Sequence, residues 1–145
     1  RPEFGGSRLV NVVAIKQRYP GHARQAGMVA SQVRAGGYCN RWTIVVDDDI
    51  DPTTWPEVAW AMSTRCDPDR DIEVFRRCWS TPLDTMVEWA GTAPGKKDLS
   101  FNARAVVDAT IPYERREAFP KVAEAPAAYA REIRERWHEV IFGTG

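Results

Sequence analysis

Apolar residues along this chain recur with two periods that take turns. Residues 9–15 (LVNVVAI) are a short β-branched run between Gly5-Gly6 and the Tyr19-Pro20-Gly21 turn, which predicts a buried strand. Residues 22–35 then place the small apolar residues Ala23, Ala26, Ala30 and Val33 on one face. Arg24, Gln25, Ser31 and Gln32 fall on the other, and Gly36-Gly37 ends the segment. That spacing predicts a helix able to lie close on a sheet. Residues 42–46 (WTIVV) are a second strand, followed at once by Asp47-Asp48-Asp49-Ile50-Asp51-Pro52.

Thr54 and Glu57 have capping-box spacing, and Trp55, Val58, Ala59 and Met62 make the apolar stripe of a second helix that Pro68 closes. Residues 71–77 read as a third strand and residues 105–107 as a short last one, with a long loop over 80–100 between them. Strand, helix, strand, helix, strand predicts parallel pairing with right-handed crossovers. The fold class expected is α/β, a three-layer domain with a mostly parallel or mixed sheet flanked by helices. Residues 111–126 hold three prolines and are expected to wander over the surface, and a final helix is expected from Pro126 to about Phe142. Its stripe of Tyr129, Ile133, Trp137 and Val140 or Ile141 needs a surface to cover it, on this domain or on a partner protomer.

With 145 residues, 43% of them hydrophobic and 28% charged, the chain is expected to build one globular core. Lysine plus arginine balance aspartate plus glutamate at 20 each, so nucleic acid is not an expected partner. No apolar run approaches the ~20 residues of a membrane span. Cys39, Cys66 and Cys78 are far apart and, with only His22 and His138 beside them, do not make a structural zinc site; buried free thiols in a cytoplasmic setting are expected.

The Asp47, Asp48, Asp49 and Asp51 cluster stands at the carboxyl end of a strand, where open α/β sheets hold ligands. Such carboxylates bind a hard cation and through it a diphosphate, or else cap the next helix. A metal-dependent nucleotide-sugar transferase using Asp47 to Asp51 is therefore the alternative function. His22, behind Lys16 and Arg18, opens a helix as a phosphate-receiving turn would, but without a glycine-rich cradle. Ser80-Thr81 and the cysteines lack a nearby histidine–carboxylate pair, and His138 reads as a surface residue. Arg104, ahead of the strand at 105–107, sits where a guanidinium can fork onto a phosphate or carboxylate.

Several segments taken in order resemble the UbiD-like decarboxylase family. They are Ile15-Lys16-Gln17 with Tyr19-Pro20-Gly21-His22-Ala23, then Val45-Val46-Asp47-Asp48-Asp49-Ile50-Asp51-Pro52, then Trp60-Ala61-Met62-Ser63-Thr64-Arg65 with Asp67 to Asp71. Ser80-Thr81-Pro82-Leu83-Asp84 and Arg104 through Asp108-Ala109-Thr110 complete the series. The resemblance implies that residues 1–120 are the family's C-terminal α/β domain and that 121–145 are a linker and oligomerisation helix.

It further implies a carboxy-lyase acting non-oxidatively and reversibly on aromatic or α,β-unsaturated acids, releasing or adding CO2. The implied cofactor is prenylated FMN with a divalent metal (Mn or Mg) and potassium, bound mainly by an upstream flavin-binding domain. The catalytic glutamates and arginine would lie there too, so neither a catalytic residue nor a metal ligand is carried onto this chain. One position transfers. The family's basic residue four places before the aspartate of Asp-Ala-Thr, which reaches the cofactor phosphate, is Arg104 here, an arginine where lysine is usual. A homo-oligomer, dimer or hexamer, is implied as well. The opening on Arg1 rather than methionine fits a piece of a longer enzyme, inactive alone.

Overall fold

The computed structural model describes residues 8–81, 83–84, 88–89, 100–123 and 125–143. In chain order the elements are strand β1 (Val10–Ile15), helix α1 (His22–Gln32), the single turn α2 (Arg34–Gly37) and strand β2 (Trp42–Asp47). Helix α3 (Trp55–Arg65) and strands β3 (Ile72–Trp79), β4 (Glu88–Trp89) and β5 (Ser100–Ala109) follow. A 3-10 turn (Tyr113–Arg115) and helix α4 (Ala127–Phe142) end the chain.

The sheet runs β1-β2-β5-β3, with β4 paired on β5. β1 pairs parallel with β2, and β2 parallel with β5, Val13 opposite Val45 and Ile44 opposite Val107. β3 runs antiparallel to β5, with Ile72 opposite Val107. The sheet is thus mixed. The all-parallel pairing suggested by element order fails at β3, because β5, a ten-residue strand rather than the expected short one, takes the place beside β2. β3 is left at the edge, and a bulge between Phe75 and Cys78, with Arg77 at φ 56, bends it there.

Alternation along β2 and β5 feeds two cores. Ile44, Val46 and Val107 meet Val58 and Ala61 of α3 and Ile50 on one face. Val45 and Val106 meet α1 on the other, at Gly27, where a Cβ would stand 2.4 Å from Val106 Cγ1. The three-layer arrangement is as expected, but α1 turns a different stripe inward. Ala23, Gly27 and Ser31 are buried, while Val29 and Val33 remain exposed. The smallest residues win the sheet face because close approach buries more of the apolar strands than two valines would add. On α3 the buried stripe is Val58, Ala61 and Arg65, and Trp55 is exposed. The Thr54 side chain does not cap α3; Glu57 instead accepts the Asp51 backbone N–H at 2.8 Å.

The loop expected over 80–100 lies largely outside the described residues, apart from buried Ser80, Thr81 and Asp84, exposed Leu83, the two residues of β4 and Ser100 at the start of β5. α4 starts within a residue of its expected position, and Tyr129, Trp137 and Val140 along it are exposed.

Candidate functional site

Two polar networks sit at opposite ends of the sheet. The first centres on Asp47, the last residue of β2 and 2% exposed. Its carboxylate accepts from Gln17 Nε2 (2.9 Å), the Ile111 backbone N–H (2.7 Å), Arg65 Nη1 (3.2 Å) and Arg116 Nη2 (3.5 Å). Parallel pairing places Ile15 beside Asp47, which brings Gln17 within reach; α3 delivers Arg65 from its last turn. Arg65 also forks onto Asp49 at 2.9 and 2.6 Å and lies over the Trp60 ring at 5.1 Å. That guanidinium holds the Asp49 carboxyl below the ordinary carboxylate range.

The acidic cluster is bonded internally. Asp47 is spent on internal donors, Asp49 on Arg65, and Asp51 accepts from Thr53 and Thr54 in a turn ahead of α3. Among the described residues no group of three or more His, Cys, Asp or Glu is placed to hold a metal ion. The transferase alternative, which needs these carboxylates turned outward onto a cation, finds no support in that arrangement. Neither does the 111–126 segment simply wander. Ile111 and Arg116 close over Asp47, a contact across more than sixty residues that local pattern does not report.

The second network surrounds Arg104 on β5, 2% exposed. Its Nη1 donates to Ser31 O at the end of α1 (2.6 Å), its Nη2 to Trp79 O, and its Nε to Asn102 Oδ1 (3.2 Å). Gly37 makes the room: a Cβ there would be 2.7 Å from Arg104 Nη1. Asn102 Nδ2 continues to Asp84 (3.0 Å), which also accepts from Ser80 (3.2 Å) and pairs with Arg41. Among the described residues every direct partner of the Arg104 guanidinium is an oxygen of a neutral group. Burial accordingly draws its pKa down, countered in part by Cys78 and by Asp84 beyond Asn102. Ser80, Thr81 and Asp84 were visible in the sequence as a matching segment, yet their union with Arg41 and Asn102 had no local signal.

The other candidates are quieter. His22 Nδ1 accepts the Arg18 backbone N–H at 3.3 Å, and its ring stacks on Tyr19 at 4.5 Å. His138 lies on α4, exposed. The three cysteines are free thiols, though only Cys39 is buried, against Thr81 Oγ1 at 3.2 Å. Cys66 and Cys78 are half-buried, and burial pushes the Cys66 thiol up. Asp108 follows Arg104 on β5; burial raises its carboxyl, opposed by hydrogen bonds from the Thr110 hydroxyl (2.7 Å) and backbone N–H (3.0 Å).

The model of the 3-octaprenyl-4-hydroxybenzoate carboxy-lyase C-terminal domain matches residues 1–120. A phenolic acid decarboxylase of Bacillus subtilis (strain 168) is 36% identical over 105 residues, covering 72% of this chain and 20% of that protein. The UbiD-class enzyme HmfF from Pelotomaculum thermopropionicum, solved with FMN, superposes with a TM-score of 0.65 at 25% identity over 86% of this chain and 25% of its own. A vanillic acid decarboxylase of Sedimentibacter hydroxybenzoicus does so with a TM-score of 0.63 at 26% identity, over 90% and 26%. The chain thus spans about a fifth of the curated relative it matches and about a quarter of those solved structures.

Proposed function

The chain belongs to the UbiD carboxy-lyase family, as its C-terminal domain, and from that membership we propose that it serves a prenylated-FMN decarboxylase of aromatic or α,β-unsaturated acids. Its part is to wall the cofactor site, to meet the cofactor phosphate through Arg104 and to join protomers through 121–145. The upstream flavin-binding domain supplies the catalytic groups and holds the divalent metal and potassium.

The observation that carries this reading is Arg104. A buried guanidinium whose partners among the described residues are all neutral oxygens is costly, and a phosphate exchanged for one of its carbonyl partners supplies the missing negative charge. Gly37 and Asn102 keep the guanidinium at that edge of β5, and Asp84 steadies Asn102. When bound, the prenylated flavin supplies the electron sink for loss of CO2. This chain's residues orient it and close its site to water. The HmfF structure contains FMN, which is the cofactor class the reading requires.

The test is a chimera in which this chain replaces the C-terminal domain of the Bacillus subtilis phenolic acid decarboxylase. Turnover of an aromatic acid is expected. Arg104→Ala is expected to weaken flavin retention about tenfold or more, with Arg104→Lys restoring most of it. Flavin retention unchanged in Arg104→Ala would remove the phosphate contact; a folded, flavin-loaded chimera without turnover would remove the functional assignment.

A further inference from the structure

Beyond the Asp47 network, between α3 and the segment that follows β5, lies a cavity of about 480 Å³. That is within the size range of small-molecule sites. Trp60, Ile111, Phe119, Pro120 and Val122 give it apolar walls. Among the described residues its charged lining is three cations, Arg65, Arg116 and Lys121, against Asp49, with Asp47 bonded behind the two guanidinium groups. Three positive and two negative groups leave one positive charge in excess.

These cations are not equally committed. Arg65 forms a fixed floor, bonded to Asp47 and Asp49 with its side chain 2% exposed. Its buried Nε–H still has no acceptor among the described residues. Among the described residues Arg116 makes two long bonds, to Gln17 O at 3.3 Å and Asp47 at 3.5 Å, and its side chain is one-third exposed. Lys121 is exposed at the rim. Arg116 and Lys121 thus have donors to offer an incoming anion.

We propose that this cavity is a second ligand site, for a small organic monoanion with a flat apolar body, an aryl or alkenyl carboxylate. One carboxylate balances the single excess charge, and a planar body fits against the Trp60 ring and the aliphatic walls. A phosphate dianion would overshoot the charge and leave oxygens facing apolar walls. The site is distinct from the Arg104 network. Between Arg104 and Ala109 alone β5 extends roughly 16 Å, and the cavity lies past that end, at Ile111.

The test is a titration of the 145-residue chain with cinnamate, read at the indole N–H signal of Trp60 in two-dimensional NMR, assigned with Trp60→Phe. A saturable shift is expected, with affinity about tenfold lower for neutral cinnamamide and for Lys121→Glu, and no displacement by inorganic phosphate. Lys121 is exposed, so its reversal leaves the fold intact, which the remaining indole signals verify. The proposal is overturned by the absence of saturation up to roughly 10 mM, by cinnamamide binding as tightly as cinnamate, or by phosphate displacing it. It is also overturned if the Trp60 signal shifts with protein concentration alone, which would make the cavity a contact between copies. No outcome involves the flavin, so the result stands apart from the cofactor assignment.

Discussion

Asp47 is 2% exposed, and four donors from three separate parts of the chain converge on it. Removing such a carboxylate leaves the Gln17 amide and the Ile111 backbone N–H without the acceptor they share, while Arg65 keeps Asp49. Asp47→Ala is expected to lower unfolding stability by about 1–3 kcal/mol, measured by urea denaturation. Two other carboxyls should answer pH in opposite senses. Asp49 is held low by Arg65, so its folded-state pKa lies below the unfolded one; its stabilisation is present above that unfolded value and is lost as pH falls through the folded one. Partial exposure keeps that effect small. Asp108 is raised by burial, so folding favours its protonated form and its ionisation at neutral pH is destabilising. Thermal unfolding followed from pH 7 downward should show Asp49→Asn with a flatter acid limb. Asp108→Asn, which keeps an acceptor for Thr110, should have its advantage at pH 7 and lose it in acid.

At the level of elements, α1 is held against the sheet by the lack of side chain at Gly27, where a Cβ would stand 2.4 Å from Val106 and 3.0 Å from Val45. Gly27→Ala must move the helix or the strands, and overpacking of this kind costs about 1–3 kcal/mol, a loss that the urea midpoint would report. α4 is the opposite case. Tyr129, Trp137 and Val140 face solvent on it, at 56, 44 and 74% exposure, more apolar surface than an isolated helix normally shows water. If this helix joins protomers, removing residues 124–145 should shift the chain to a smaller species in size-exclusion chromatography without loss of its far-UV strand signal. An unchanged elution position per unit mass would remove that role.

For the whole molecule, residues 1–120 match a C-terminal domain, and the groups that would perform carbon–carbon cleavage are expected on another domain. The chain by itself is therefore expected to give no decarboxylation with added prenylated FMN, measured by CO2 release from an aromatic acid. Turnover by the chain alone would contradict the division of labour between domains. The segments that match the family are joined in space by the two polar networks, Gln17, Asp47 and Arg65 with Ile111 at one end, Ser80 and Asp84 with Asn102 and Arg104 at the other.

Local periodicity was enough to read β1, β2, α1, α3 and α4 to within a few residues, since burial of one face imposes its repeat on the residues themselves. The order of short motifs was enough to read the family. Tertiary structure decided the rest. That β5 lies beside β2, and that β3 therefore runs antiparallel at the edge, depends on pairing between distant segments. That Ala23, Gly27 and Ser31 rather than the valines face the sheet depends on how closely the layers approach. Asp47 looks like a metal ligand in the sequence and is an internal acceptor in the fold, because Gln17, Ile111 and Arg116, its partners, are brought to it from 30 to 69 residues away. Arg104 was legible as a basic residue at a strand; its enclosure by neutral oxygens from Ser31 and Trp79 was not, because those contacts exist only once the chain has closed around it.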